Sequence, residues 1–140
     1  MGAETGTVIV TDTGFRPADP GEDFIALAEV GEGTGSLRLE LPADADVAAA
    51  MAHFGRASVI RIPFRSFADG RGFTLARELR RLGFRGRIRA AGHVIPDQWP
   101  MARACGIDEV EISAEQAVRQ PEAAWTARKR RPGYLDVLRG

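Results

Sequence analysis

The sequence predicts an α/β fold: a four-stranded, mainly parallel sheet of βα repeats under a single helical layer, half-TIM-barrel-like in outline. Three observations carry that expectation. Strand-like and helix-like segments alternate four times from residue 36 onward. The stretches between successive strands are too long for hairpins, so crossovers must join them, and right-handed crossovers give parallel strands. Each strand also alternates apolar with charged residues, whereas strands buried on both faces read as nearly continuous apolar runs. A flavodoxin-like, doubly wound sheet is the alternative, and the alternation speaks against it.

The elements follow along one expected domain, 1–140, a length that buries a substantial core. Residues 1–36 read as an irregular N-terminal segment with a β-prone run at Thr7–Thr11, an apolar run at 24–30 and a glycine-rich loop at 31–35. In the first strand, 36–41, Leu37, Leu39 and Leu41 alternate with Arg38 and Glu40. Asp44 or Asp46 caps the next helix, which carries Val47, Ala50, Met51 and Phe54 on one face and closes at Gly55. The second strand, 58–64, leads to a helix with Leu75, Ala76, Leu79 and Leu82 inward, four charged residues outward, and Gly83 as its stop. After the third strand, 87–91, Asp97 is placed to cap a short helix that tolerates Pro100 in its first turn and ends at Gly106. The fourth strand, 109–112, runs into Ser113-x-x-Gln116, the spacing of a capping box. Residues 121–140 read as a C-terminal arm holding Trp125, a basic run at 128–131 and Tyr134. One strand face is apolar; the other carries Arg38, Glu40, Arg61, Arg87, Arg89, Glu109 and Glu111. That second face is expected to be an Arg/Glu ladder, a homodimer interface or a pocket floor.

Composition narrows the function classes. At 44% hydrophobic and 27% charged, the chain has the make-up of a folded domain. No apolar run approaches the roughly 20 residues that span a bilayer. The start lacks the charged and apolar regions of a secretory signal, so no membrane partner and a cytoplasmic location are expected. Cys105 is the one cysteine, which rules out an internal disulfide, a CxxC pair and a four-cysteine iron–sulfur site. With only His53 and His93 beside it, no metal site is expected. The zero net charge hides an asymmetry: residues 1–55 sum to −8, residues 56–105 to +8, and the rest balance. Lys129 is the sole lysine, and arginine's planar fork suits oxyanions better. Aromatic residues do not interleave with the arginines, so no nucleic-acid partner is expected.

In parallel α/β folds ligands bind beyond the carboxyl ends of the strands. That topology selects the loops 65–73, 92–99 and 113–115. In the first, Gly70 and Gly72 let backbone approach a ligand, and Arg71 offers a fork of donors for an anion. A plain glycine turn, with Asp69 capping the helix and Arg71 paired to an acid, is the alternative. In the second, His93 stands where a general acid or base would, with Asp97 and Gln98 in loop reach. A helix-capping Asp97 beside a hydrogen-bonded His93 is the competing reading. His93, Asp97 and Asp69 are thus the candidate catalytic residues; Gly70, Arg71, Gly72 and Gln98 are the candidate anion-binding ones. No nucleophile elbow occurs.

The run Asp69-Gly-Arg-Gly-Phe73, then LARELRRLGFRGRIRAAGHVIPDQ, then Arg-Ala-Cys-Gly-Ile-Asp at 103–108, resembles the bacterial domain-of-unknown-function family numbered 934. The likeness is close over residues 55–112 and loose over the N-terminal third. It marks Asp69, Gly70, Arg71, Gly72, Phe73, Gly92, Asp97 and Gln98. Trp99-Pro100 departs from the aliphatic–aromatic pair usual in the family after the glutamine. The resemblance implies company with sulfite reductase in sulfate-assimilation operons, and such members often carry an oxidoreductase label.

Two functions are therefore expected to compete. One is an accessory protein of sulfite reduction that needs no redox cofactor of its own and docks on sulfite reductase or its electron donor through the arginine-rich middle. The other is an oxyanion- or phosphate-binding enzyme or sensor with its site at the carboxyl ends of the strands. A structural homodimer joined through the charged face is a third.

Overall fold

A computed structural model describes residues 6–19 and 21–127. Its strands are β1 Thr7–Thr11, β2 Gly14–Pro17, β3 Ile25–Ala26, β4 Leu37–Glu40, β5 Ala57–Phe64, β6 Arg87–Gly92 and β7 Glu109–Ser113. The helices are α1 Val47–Met51, α2 Arg71–Arg81, α3 Trp99–Ala104, α4 Ala114–Arg119 and α5 Glu122–Thr126. The fold is mixed α/β, with one sheet in the order β2-β1-β7-β6-β5-β4-β3. From β3 to β7 neighbours run parallel; β1 lies antiparallel to both β7 and β2.

Seven strands among the described residues correct the expectation of four. The three extra ones come from the segment read as irregular. Thr7–Thr11 lies along β7, which would otherwise offer its unpaired backbone as an edge. It then turns into β2, with Thr11 Oγ1 accepting from Thr13 N at 3.2 Å and donating to the Gly14 carbonyl at 3.1 Å. Gly14 sits at φ +129°, where side chains are strained. β3 has two residues, both exposed, and so gives no alternation to read.

The register Leu39↔Ile60, Ile60↔Ile88 and Ala90↔Val110 lines up the apolar strand positions on one face. Phe73, Leu75, Ala76 and Leu79 of α2 and Trp99 and Ala102 of α3 are buried against them in one cluster. Asp46 caps α1, accepting from Ala48 N at 3.0 Å. Ser113 Oγ caps α4 through Gln116 N at 3.0 Å. The capping box is half formed, because the Gln116 amide instead donates to the Val94 carbonyl at 2.7 Å. The expected arm belongs to the fold as far as α5. Trp125 is fully buried, stacks edge-on to Trp99 at 6.3 Å, and donates to the Gln120 carbonyl at 3.0 Å. The basic run at 128–131 and Tyr134 lie outside the described residues.

The other sheet face carries the expected Arg/Glu ladder. Arg89, with no exposed side-chain surface, donates to Glu109 at 2.6 Å, to Glu111 at 2.9 Å, and with two nitrogens to Glu22 at 2.8 and 2.9 Å. Arg61 reaches Glu40 and Glu111, while Arg16 and Arg87 reach Glu109. Glu22 and Phe24 lie in the link between β2 and β3, which are opposite edges of the sheet, so this link crosses the charged face as a strap. The Phe24 ring lies 4.0 Å below the Arg61 guanidinium and 5.3 Å from that of Arg89. Burial pushes the Arg89 guanidinium down, but its bonds to Glu22 and Glu109 outweigh this and hold it above its ordinary value. The Arg89 bond holds the Glu22 carboxyl below its own.

Candidate functional site

Two of the loops chosen from topology meet at one rim, at the carboxyl ends of β5 and β6. The Gln98 amide joins them, donating to the Phe67 carbonyl at 2.8 Å and accepting from Ile95 N at 3.0 Å. His93 bonds back to β5: its backbone N–H and its Nδ1 both reach the Phe64 carbonyl, at 3.0 and 3.1 Å. A carbonyl only accepts, so Nδ1 carries the proton and Nε2 is left as the acceptor in the neutral ring. The exposed ring also meets Phe67 edge-on at 5.1 Å.

Asp69 and Arg71 form a closed pair. Asp69 Oδ1 accepts from the Arg71 backbone N–H and from its Nε, and Oδ2 accepts from its other fork nitrogen, all at 3.1 Å. The Arg71 side-chain bond, then its backbone N–H, hold the Asp69 carboxyl below its usual range; the Asp69 bond raises Arg71. The pair lines a cavity of about 130 Å³ with Pro42, Asp44 and Arg65. Arg65 has no ion-pair partner among the described residues. Gly70 leaves open space where a Cβ would be, but a Cβ on Gly72 would run into the Phe64 ring. Gly92, at φ +109°, lies so close that a Cβ would stand 2.8 Å from the Phe64 carbonyl oxygen.

Asp97 sits in a single 3₁₀ turn, Pro96–Gln98, so the N-cap position of α3 falls on Gln98, whose side chain makes no cap bond. The expected N-cap at Asp97 is thus one residue out, because that turn precedes α3. His93 and Asp97 line neither the 130 Å³ cavity nor the larger cleft beside it.

That cleft, of about 330 Å³, lies between α2 and α3 and is walled by Phe67, Phe73, Arg77, Gln98, Met101 and Cys105. Phe67 and Met101 are 45% and 46% exposed. Arg77 donates to Cys105 Sγ at 3.4 Å. Sequence reasoning singled out none of Phe67, Arg77 and Met101 for a site. The signal was thin: a phenylalanine in a glycine-bearing loop, and an apolar Met101 on a short helix that needs little apolar surface.

A third, shallow cavity of about 330 Å³ opens at the same ends of the strands on the charged face, between Glu40, Arg61, Gly92, Glu111 and Ser113. Among the described residues no three His, Cys, Asp or Glu side chains gather to hold a metal ion, and no helix is long and apolar enough to cross a membrane. Residues 38–131 match the model of a family described as a bacterial protein of unknown function, DUF934. No curated protein and no solved structure matches the chain.

Proposed function

This chain belongs to the bacterial family of unknown function DUF934, and from that premise we propose that it is an accessory protein of sulfite assimilation, docking on sulfite reductase or its electron donor. The pathway comes from the resemblance; the manner of action comes from the surface. One observation carries it. The cleft between α2 and α3 presents two half-exposed apolar side chains, Phe67 on the turn leading into α2 and Met101 on α3, which suits contact with another protein. Most arginines of the 56–105 segment, through which docking was expected, are bound within the chain, so the cleft is the surface proposed instead: Arg56 is held by carbonyls at 2.8 and 3.1 Å, Arg80 by Asp108 at 2.7 Å, Arg103 by Asp12 at 3.0 Å. The test passes purified sulfite reductase and its electron donor over the immobilised chain at low ionic strength. One of them is expected to be retained; loss of both in the flow-through overturns the reading.

The same reading takes the sheet as curled and half-barrel-like, with the helices on its outer side. Strand order rises by one at every crossover from β3 to β7, and right-handed crossovers then place each connecting helix on one face. The strap supports the curl. Its steps from Pro17 to Ile25 reach about 26–29 Å at full extension. Six strand spacings of a flat sheet already need roughly 29 Å before any offset along the strands.

A second reading, an oxyanion-binding enzyme or sensor, is favoured by Arg65, a cation without an ion-pair partner among the described residues in a cavity of about 130 Å³. Sulfite, sulfate or phosphate is then expected to raise the melting temperature with concentration, and Arg65→Gln to abolish the rise.

A further inference from the structure

Resting on the docking role, we propose that the cleft between α2 and α3 receives an apolar side chain of the partner while Arg77 takes a carboxylate next to it. Two observations converge there. Phe73, Phe67 and Met101 give the cleft an apolar wall beside the Cys105 thiol, with Arg77 and Gln98 as its polar lining. Phe67 and Met101 remain nearly half exposed, so the cleft is open at its side. A free small molecule would typically have about 70–90% of its surface buried in a pocket; this shape fits instead a residue projecting from a protein surface. Methionine, unbranched and polarizable, adapts to such a guest.

Charge decides what stands beside that residue. The other cations on α2 itself are neutralised or spoken for: Arg71 by Asp69, Arg81 by Glu78, Arg80 by Asp108 and three carbonyls. Arg77 has only a thiol, a weak acceptor, and no carboxylate partner among the described residues. Arg77 is exposed in the free chain, so its remaining donors are open to a planar carboxylate; a partner seated in the cleft would cover that bond, and a covered charge-assisted bond is stronger than one left in water. The Gln98 amide is fixed at both ends by the loops it joins, and it is neutral, so Arg77 supplies the charge in the cleft.

The test uses the whole chain and a labelled peptide bearing a leucine flanked by aspartates, with its asparagine counterpart as control, read by fluorescence anisotropy. The aspartate peptide is expected to bind at least about tenfold more tightly than the asparagine one, the loss of roughly one charge-assisted bond. Arg77→Gln and Met101→Glu are each expected to weaken it by a similar factor. Arg85→Gln, which removes an exposed cation away from the cleft, is expected to bind as the native chain does. Equal binding of both peptides, no binding of either, or an unaffected Arg77→Gln overturns the assignment. Folding of each variant is checked by its melting temperature, and Arg77→Lys, which keeps charge without the fork, is expected to recover only part of the affinity. The docking role is read separately: if the native chain and Arg77→Gln hold sulfite reductase equally well, that role stands and the cleft assignment is overturned.

Discussion

Gly72 and Gly70 are two residues apart in one turn, yet they do different work. A methyl group on Gly72 would enter the Phe64 ring, while one on Gly70 would meet nothing. Gly72 is thus a packing glycine where the chain enters α2. Gly72→Ala is expected to destabilise the fold by about 1–3 kcal/mol through overpacking, with Gly70→Ala close to native; urea denaturation midpoints measure both. Equal midpoints would mean that Phe64 moves aside freely. The Asp69–Arg71 pair teaches a related lesson. Its spacing in the sequence fits an anion seat and a self-contained turn equally well, and two 3.1 Å side-chain bonds show that the Nε–Nη2 edge of the arginine fork is already occupied.

Among the elements, the strap that carries Glu22 and Phe24 does what no periodicity announces: it roofs a sheet face made of charges. Arg89 is out of water, and such a cation is tolerated only when carboxylates surround it. Glu22, 7% exposed and bonded through both oxygens, is the partner the strap supplies. Glu22→Gln leaves Glu109 and Glu111 in place, so the expected cost is about 1–3 kcal/mol, the worth of hydrogen bonds to a charged group. The same residue gives a pH dependence. Because its carboxyl is held below the ordinary 4.5 in the fold, its contribution is fully present above that value. It is lost as the pH falls through the lower folded value. Native stability is therefore expected to drop between about pH 5 and pH 3, and Glu22→Gln to drop less steeply. Parallel slopes in denaturation at pH 6 and pH 3.5 would show that other carboxyls govern the acid limb.

For the molecule as a whole, α5 ties the two ends of the described chain together. Glu122 accepts from Phe15 N at 2.9 Å, covering the outer edge of β2, and Trp125 fills the core beside Trp99. An edge capped in this way has less unpaired backbone to offer another chain. Trp125→Ala is expected to cost about 3–5 kcal/mol, a large share of the 5–15 kcal/mol typical of a domain. A melting temperature within a few degrees of native would show that α5 is peripheral. The charge asymmetry also resolves at this scale. The acidic N-terminal segment and the basic middle meet across the sheet, as Glu22 with Arg89, Glu40 with Arg61, and Asp12 with Arg103.

Read alone, the sequence determined the four central strands, the helices between them, the apolar face, the glycine stops and the rim where both candidate loops lie. Those features are local: a period of two or of nearly four, a capping side chain or a glycine is written in adjacent residues. Only the tertiary structure decided that residues 7–26 add three strands and a strap, that Trp125 is core, and that most of the arginines are bound within the chain. Each depends on partners far apart in sequence, 67 residues for Glu22 and Arg89 and 107 for Phe15 and Glu122. A short exposed strand carries no pattern of its own, and an arginine reads the same in sequence whether its carboxylate is a neighbour in space or belongs to another molecule.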